Sequence, residues 1–233
     1  MKDIIVIPTY NEKENISALV PEIFKIVPDV YVVVADDNSP DGTADAVRVL
    51  MQSYPRLSLF SRRAKEGLGR AYAAAFQKLL AESDVRTVIM MDADFSHHPR
   101  YLPAMLAESR AHSVVVGSRY VSGGGTEGWE GWRRLLSFGG NRYARLVTGL
   151  PIFDLTGGFN IIHTELLRKI DLSAFDASGY AFIIELKYRL WKAGADFAEV
   201  PIIFKNRREG ESKISNHIIA EGIIAPWKMR FKK

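Results

Sequence analysis

Short apolar runs alternate along the first 120 residues with longer stretches whose apolar positions recur every three or four residues. The runs are rich in valine and isoleucine and are uninterrupted, which is typical of strands buried on both faces of a parallel sheet. The longer stretches have the period of amphipathic helices. The pattern predicts strands at 3–8, 30–36, 56–62, 86–92 and 113–119, and helices at about 12–27, 43–53, 68–82 and 100–110.

The pattern changes after residue 120. The segment 122–134 is rich in glycine and carries two tryptophans, so a mobile loop is expected there. A helix through Thr148 and a turn into a strand within 154–162 are expected to follow. The remaining predicted elements are a helix at 180–193, a strand at 195–204 and a final helical segment interrupted at Pro226.

This alternation predicts an α/β fold with a mostly parallel central sheet flanked by helices. The ligand site of such a fold lies at the carboxyl ends of its strands. The chain has 233 residues, enough for one large domain. It shows no internal repeat and no convincing linker, so a single domain over residues 1–233 is expected.

The amino-acid composition indicates a globular protein and argues against disulfide-bonded and membrane-spanning classes. The chain is 47% hydrophobic and 25% charged, as ordinary globular proteins are. The absence of cysteine excludes disulfides and thiolate zinc sites and favours a reducing compartment. The apolar run at the N-terminus is too short for a secretion signal, and no stretch suits a transmembrane helix. We therefore expect a soluble or peripheral protein.

Charge is unevenly distributed along the chain. The whole chain carries a formal net charge of +4, whereas the segment 205–233 alone, with eight basic and three acidic residues, carries +5. Such a segment is typical of proteins that bind phosphate, an anionic membrane or nucleic acid, and it also fits a solvated terminus. No recognisable nucleic-acid-binding module accompanies it, so no nucleic-acid partner is expected.

Polar motifs follow four of the predicted strands, with the sequences PTYNE, ADDNSPDGT, DADFSHHP and GSRY. The carboxyl ends of parallel strands share one edge of a sheet, so the four motifs are expected to form one site. Asp92 and Asp94 follow buried apolar residues, where a charge is costly unless a cation meets it. Residues i and i+2 of a strand share a face, so both carboxylates are expected to bind one divalent cation together with a diphosphate.

Other ligand classes are disfavoured. The sequence EGLGRAY lacks the third glycine of a dinucleotide-binding motif and the lysine of a P-loop. His97 and His98 lack partners at zinc-ligand spacing, so capping or hydrogen bonding ahead of Pro99 is expected, with a catalytic base as an alternative. Asp36 and Asp37 could accept hydrogen bonds from a ribose or a base.

The motifs carry a resemblance to a known family. IPTYNE, DDNSPDGT, GLGRAY, MDADFSHHP and GSRY are shared by many GT-A glycosyltransferases. DLTGGF, GYAFIIE and EVPIIFKNRREGESKIS look specific to transferases that act on polyprenol phosphates. Over nearly its whole length the chain resembles the dolichol- or polyprenol-phosphate mannose synthases, which are inverting GT-A enzymes of glycosyltransferase family 2.

The resemblance implies a reaction and its partners. It implies transfer of mannose from GDP-mannose to dolichyl or polyprenyl phosphate, with inversion and with Mg²⁺ or Mn²⁺ as cofactor. It also implies a peripheral enzyme on the cytoplasmic face of a membrane, in some members with small membrane subunits as partners. A basic amphipathic segment at about 214–233 is expected to contact the membrane surface. Trp129 and Trp132 fit a lid over the acceptor, a membrane contact or plain loop anchors.

The resemblance also assigns residues. Asp92, Asp94 and Ser96 are expected to hold the metal, with Asp94 as chief ligand and Ser96 as a weak one where some members have glutamine. Asp92, Asp94 and Arg119 are the expected catalytic residues. Arg119, Arg133 and Ser137 match the acceptor-phosphate region, with Arg134 as an alternative to Arg133. The positions expected to bind the nucleotide sugar are Pro8, Tyr10, Glu12, Val34, Asp36, Asp92, Ala93, Asp94, Arg207 and Lys213.

Two other functions fit the same residues. A UDP-sugar-dependent glucosyl- or N-acetylglucosaminyltransferase acting on polyprenyl phosphate would share the architecture, since the contacts that read base and sugar are not apparent in the sequence. A non-catalytic nucleotide-sugar-binding protein at a membrane surface would keep the basic segment. The intact Asp92, Asp94, Arg119 and Arg207 argue against the second.

Overall fold

The computed structural model describes residues 1–175, 179–205 and 216–231. The strands are β1 (Lys2–Thr9), β2 (Tyr31–Asp36), β3 (Leu57–Ser61), β4 (Val85–Met90), β5 (Val114–Ser118), β6 (Gly125–Glu127), β7 (Asn160–His163), β8 (Phe197–Pro201) and β9 (Ile203–Lys205). The helices are α1 (Lys13–Ile26), α2 (Thr43–Met51), α3 (Leu68–Leu80), α4 (Leu102–Glu108), α5 (Gly131–Thr148), α6 (Thr164–Leu167), α7 (Gly179–Lys192) and α8 (Asn216–Phe231).

Seven strands form the central sheet in the order β3-β2-β1-β4-β7-β5-β8. All neighbours are parallel except β7, which runs antiparallel to both β4 and β5. The predicted α/β fold with a mostly parallel sheet is therefore confirmed. The short strands β6 and β9 pair in parallel as a separate two-stranded sheet.

The uninterrupted apolar strands arise because both faces of the sheet are covered. In β1, Ile4 and Val6 pack into one buried cluster with residues of α3 and α7. Ile5 and Ile7 pack into a second cluster with residues of α1, α2 and α4. Alternate residues of a strand point to opposite faces, so a strand between two helix layers needs an apolar residue at every position.

The predicted loop 122–134 and the predicted strand 195–204 both differ from what the structure shows. The segment 122–134 is not a plain loop, because it contains β6, and α5 begins within it at Gly131. The predicted strand 195–204 is divided into β8 and β9, which belong to different sheets. Backbone pairing between β6 and β9 accounts for both short strands. The two segments are far apart in the sequence, so a local sequence pattern does not reveal this pairing.

The last helix departs from prediction at Pro226, which lies inside α8 and does not end it. The helix packs along α5 and α7 with Ala225 and Pro226 buried, and this packing outweighs the backbone hydrogen bond that proline removes. Ile223, Ile224 and Trp227 of α8 are exposed, so the expected contact of this segment with a membrane surface stays a prediction. Within the three described ranges, no helix is long and apolar enough to span a membrane.

Candidate active site

The carboxyl ends of β1 and β2 meet where Thr9 pairs with Asp36. The Thr9 hydroxyl donates to the Asp36 carboxylate (2.9 Å), which also accepts the backbone N–H of Ser39 (3.0 Å). Asp36 is buried, and these bonds fix the turn that follows β2. Its carboxylate organises the sheet edge on which the nucleotide residues were expected.

Asp37 is a buried ion-pair partner of Arg62 (2.5 Å). Burial raises the pKa of Asp37 above its ordinary value, although the charge and hydrogen bond of Arg62 oppose this shift. Arg62 also bonds Glu66, just before α3. The pair therefore ties the end of β2 to the segment that leads into α3.

The other residues expected on the nucleotide side divide into two groups. Pro8, Tyr10 and Glu12 lie at or just after the end of β1, and the ammonium of Lys65 lies 3.9 Å from the centroid of the exposed Tyr10 ring. Glu12 precedes α1, and its backbone N–H donates to the Thr43 hydroxyl (3.1 Å). Val34 is instead fully buried, so the structure does not bring its side chain to this surface.

The acidic motif lies in a loop, because β4 ends at Met90. The prediction that Asp92 and Asp94 share a strand face is therefore wrong. Asp94 is buried and accepts the backbone N–H of Ser96 (3.1 Å), and the Asp92 side chain is about one-third exposed, at 31%. Phe95, between Asp94 and Ser96, has a φ of 62°, which is rare for a bulky residue and is found preferentially at functional sites.

The acidic loop, defined here as residues 91–98 and proposed below as the metal-binding loop, has oxygen donors that suit a hard divalent cation. The Ser96 hydroxyl is buried without a hydrogen-bond partner in the described part of the chain, next to the buried Asp94. Across the same residues no group of three or more His, Cys, Asp or Glu side chains could hold a metal. Mg²⁺ commonly takes one or two carboxylates and completes its shell with waters and substrate phosphates, so this donor set fits it.

The two histidines of the loop act through hydrogen bonds, as expected. His98 accepts the backbone N–H of Arg100 (3.2 Å) at the start of a short 3₁₀ helix, Pro99–Tyr101. His97 is buried, and its Nδ1 accepts the backbone N–H of Asp92 (3.0 Å). The capping prediction is confirmed.

Arg119 follows β5 and is held by Asp154. Its Nε and Nη2 donate to the two carboxylate oxygens (2.8 and 2.7 Å), and its backbone N–H donates to the same carboxylate (3.0 Å). Nη2 also donates to the Thr156 hydroxyl (2.7 Å). Burial alone would raise the pKa of Asp154, but the Arg119 guanidinium outweighs burial and holds that pKa below its ordinary value.

The loop 153–158 carries Asp154 and is bonded through its backbone to three other elements. Glu199 of β8 accepts the N–H groups of residues 153 and 154, and Asn141 of α5 accepts those of residues 155 and 156. Lys187 of α7 donates to the carbonyls of residues 154 (2.8 Å), 155 (3.4 Å) and 157 (2.9 Å). A buried loop needs such partners for its backbone groups.

Asp154 and Lys187 were both missed in the sequence. Asp154 lies within the quoted motif DLTGGF, but that motif gave no reason for its role. Lys187 is 1% exposed, and burial lowers its pKa to about 8, although Asp154 and Glu199 favour the charged form. Asp154 bonds Arg119 directly, and Lys187 orients the loop that carries Asp154.

The predicted acceptor residues of α5 cluster with aromatic rings. The guanidinium carbon of Arg133 lies 4.3 Å from the Trp129 ring centroid, and the Tyr120 hydroxyl donates to the Ser137 hydroxyl (2.7 Å). Burial raises the pKa of Tyr120. Arg133 is partly buried and the neighbouring Arg134 is exposed, so Arg133 is the one that joins the cluster.

Three further predicted residues complete the comparison. Ala93 is buried in the acidic loop. Arg207 and Lys213 lie outside the described residues, so their predicted phosphate contacts remain predictions.

Residues 4–171 match the family described as glycosyl transferase family 2. The chain is 38% identical to the undecaprenyl-phosphate mannosyltransferase of Micrococcus luteus, over 96% of this chain and 92% of that protein. It is 41% identical to the polyprenol monophosphomannose synthase of Mycolicibacterium smegmatis, over 98% and 88%.

Among solved structures, the glucosyl-3-phosphoglycerate synthase of Mycobacterium tuberculosis is similar in fold. Its complex with Mn²⁺, UDP and glucosyl-3-phosphoglycerate superposes with a TM-score of 0.66 at 18% identity, covering 98% of this chain and 79% of that one. The likeness confirms the expected GT-A fold. The chain therefore belongs to glycosyl transferase family 2, as a glycosyltransferase related to the bacterial polyprenol-phosphate mannose synthases.

Proposed function

We propose that this enzyme transfers mannose from GDP-mannose to dolichyl or polyprenyl phosphate, with inversion at C1. The observation that carries the proposal is an acidic metal-binding loop joined by packing to a site built on Arg119 and Arg133. The loop suits the diphosphate of a sugar nucleotide. Arginines suit a phosphate acceptor better than a neutral hydroxyl, because their planar fork matches phosphate oxygens. The names of the two bacterial relatives support mannose and a polyprenyl phosphate as substrates.

Asp92, Asp94 and Ser96 would hold Mg²⁺ or Mn²⁺. When bound, the ion neutralises the negative charge that develops on the departing diphosphate. The buried Ser96 hydroxyl beside Asp94 supports this assignment, as does the Mn²⁺ bound with UDP in the Mycobacterium tuberculosis synthase. On the nucleotide side, Pro8, Tyr10, Glu12, Asp36 and Ala93 remain the proposed contacts, with Arg207 and Lys213 reaching phosphate groups.

Arg119, Arg133 and Ser137 hold the acceptor phosphate in this proposal. A phosphate monoester has a second pKa of about 6, so it is largely a dianion near neutral pH and needs no general base. One of its oxygens forms a bond to C1 of mannose while the bond from C1 to the diphosphate oxygen breaks, and the electron pair leaves with GDP. Attack opposite the leaving group converts the α-linked donor into a β-linked product.

The test is metal-dependent transfer of radiolabelled mannose from GDP-mannose to a short-chain polyprenyl phosphate in detergent, with the anomeric form of the product read by NMR. UDP-glucose and UDP-N-acetylglucosamine are offered as alternative donors. We expect a β-mannosyl phosphate and activity that chelator abolishes and Mn²⁺ restores. Preferred use of a UDP-sugar would favour the alternative transferase, and no transfer from any sugar nucleotide would favour a binding protein.

We also propose that the enzyme works peripherally on the cytoplasmic face of a membrane, with small membrane subunits as partners. Helices α5 and α8 lie side by side, joined where the Tyr143 hydroxyl donates to the Ile223 carbonyl (2.8 Å) and accepts from Trp227 Nε1 (2.6 Å). Together they expose an apolar surface, here called the α5–α8 surface, that consists of Trp132, Leu135, Leu136, Phe138, Leu146, Ile223, Ile224, Trp227 and Phe231.

Exposed basic residues accompany the α5–α8 surface, namely Arg134, Arg142, Lys228 and Arg230. Each basic residue near an anionic bilayer contributes roughly 1 kcal/mol to binding. Arg133 lies on the same helix, so a membrane contact through α5 would bring the acceptor residues to the headgroup level, where a polyprenyl phosphate has its charge.

Co-sedimentation with phosphatidylglycerol vesicles tests the membrane contact. We expect binding by the unaltered protein that weakens as salt rises, because salt screens the basic residues. Replacing Leu135 and Leu146 together by serine should weaken binding severalfold. Val49→Ser, at an exposed apolar position on α2, is the matched control and should leave binding unchanged. Equal sedimentation of all three proteins would rule out the α5–α8 surface as the membrane contact.

A further inference from the structure

Phe204 of β9 lies between the metal-binding loop and the side chains proposed for the acceptor phosphate. Its ring meets His97 edge to face, with centroids 5.8 Å apart and planes at 74°. It meets Trp129 in the same way, at 5.5 Å and 75°. The guanidinium carbon of Arg119 lies 5.5 Å from its ring centroid. Aromatic and cation–π contacts are attractive at these separations.

On the metal side, Phe204 helps to fix the plane of His97. The His97 ring is stacked on Phe159 with centroids 5.1 Å apart and planes at 13°. Phe204 packs against the same ring, so the imidazole is held by two aromatic neighbours. The ring plane sets the direction in which Nδ1 accepts the N–H of Asp92. Partners of this kind, behind a metal ligand, determine how that ligand is presented.

On the acceptor side, Phe204 supports the aromatic residues that surround the arginines. Trp129 is in contact with Phe204, and the guanidinium carbon of Arg133 lies 4.3 Å from the Trp129 ring centroid. Arg119 is held by Asp154 through hydrogen bonds, and the Phe204 ring packs near the same guanidinium. Loss of the ring would therefore leave Trp129 and Arg119 with one fewer neighbour each, and Arg133 would lie against a less firmly held Trp129.

The backbone places Phe204 in this position. It lies in β9, where it pairs with Thr126 of β6, and the N–H of Gly125 donates to the carbonyl of Ile202 (3.0 Å). The chain leading from β6 into α5 carries Trp129 and Arg133. The small sheet thus connects the segment that bears the acceptor residues to the strand that bears Phe204.

We propose that Phe204 is a positioning residue shared by the two halves of the site. Through His97 it orients Asp92, and through Trp129 it orients Arg133. In this role it acts through these two residues and not by contact with a substrate. The inference rests on the proposed function, because that function assigns Asp92 to the metal and Arg133 to the acceptor.

Three variants test the shared role. Phe204→Leu removes the ring and keeps an apolar side chain, whereas Phe204→Tyr keeps the ring. Phe175→Leu is the matched control, since Phe175 is also partly buried, meets Phe182 edge to face at 5.0 Å and lies 4.6 Å from the guanidinium carbon of Arg189. The measurements are the affinity for Mn²⁺ in the presence of GDP, by electron paramagnetic resonance, and kcat and KM for a short-chain polyprenyl phosphate.

We expect Phe204→Leu to weaken Mn²⁺ binding about tenfold, the lower end of what loss of a partner behind a metal ligand costs. We expect it also to raise the acceptor KM about tenfold and to lower kcat, because small displacements of positioning groups are costly. Phe204→Tyr and Phe175→Leu should stay within about twofold of the unaltered enzyme in every quantity. The Mn²⁺ affinity therefore reports on the metal half of the site, and the acceptor KM reports on the acceptor half.

A change in only one of the two quantities, or in neither, would overturn the shared role. If melting curves show Phe204→Leu to be unfolded, Phe204→Met takes its place, since methionine fills a similar volume without a ring. An unaltered enzyme that binds Mn²⁺ and GDP but transfers no mannose would refute the proposed function. In that case the affinity for Mn²⁺ still tests whether Phe204 orients Asp92. Equal Mn²⁺ affinities in Phe204→Leu and the unaltered enzyme would overturn the proposal for Phe204.

Discussion

We expect the buried Lys187 to make this enzyme more stable as the pH rises from about 8 to 10.5. Its ammonium is fully buried against the carbonyls of residues 154, 155 and 157, and burial lowers its pKa from 10.5 to about 8. Between these two values the unfolded chain binds a proton that the folded protein lacks. Stability therefore rises with pH across this window, because the cost of burying the charge disappears once the folded protein has lost it.

The size of the effect follows from the shift. A difference of one pKa unit corresponds to about 1.4 kcal/mol, so the shift of Lys187 corresponds to about 3 kcal/mol over the full window. The window extends from about pH 8, the folded value, to 10.5, the value taken for the unfolded chain. Between pH 7 and pH 10 most of this difference, roughly 2 kcal/mol or more, should be expressed.

The assay compares urea unfolding of the unaltered protein and of Lys187→Met at pH 7, 8, 9 and 10. Methionine has a similar length and no charge, and all other titrating groups are common to both proteins, so their contributions cancel in the difference. We expect the free energy of unfolding of the unaltered protein, relative to Lys187→Met, to rise steadily from pH 7 to pH 10. A difference that stays constant or falls with pH would refute the assignment of a buried charge to Lys187.

Three further predictions concern the site. Asp94→Ala should lower transfer more than about a hundredfold, since the metal loses its main carboxylate, with an unchanged melting temperature; near-normal activity in chelator without added metal would contradict this. Arg133→Ala should raise the acceptor KM about tenfold and leave GDP affinity unchanged by calorimetry; equal losses in both would be evidence against its acceptor role. Asp154→Asn should lower the free energy of unfolding in urea by about 3 kcal/mol, because Arg119 is left as a buried charge without its counter-ion; an unchanged midpoint would show that the pair is dispensable.

The sheet could be predicted from the sequence because its causes are local. Every position of a strand buried between two helix layers must be apolar, so β1, β2 and β5 appear as continuous runs with polar residues at their ends. That same rule located Asp36, Asp92 and Arg119 at one edge. The orientation of Asp92 relative to Asp94 could not be predicted, since it depends on where β4 ends and on the left-handed backbone at Phe95.

The residues that support the site could not be predicted, because their positions depend on contacts between distant parts of the chain. Lys187 lies on a helix, and its burial depends on a loop about thirty residues earlier in the chain that supplies three carbonyls. The three residues of β6 have no strand pattern of their own and form a strand only because β9 pairs with them. Pro226 inside α8 likewise depends on packing against two other helices. Contacts of this kind are tertiary, and local propensity says little about them.

The antiparallel strand β7 has a consequence for the order in which this chain can assemble during synthesis. β7 has only four residues, yet among the strands of the described ranges it alone joins the group β3-β2-β1-β4 to the pair β5-β8. Until Asn160–His163 has left the ribosome, the growing polypeptide exposes an unpaired edge along β4, and such edges invite pairing with other chains. Substitutions in β7 that weaken pairing without touching the site should therefore appear first as lower yield of soluble enzyme, with normal specific activity in the molecules that do fold.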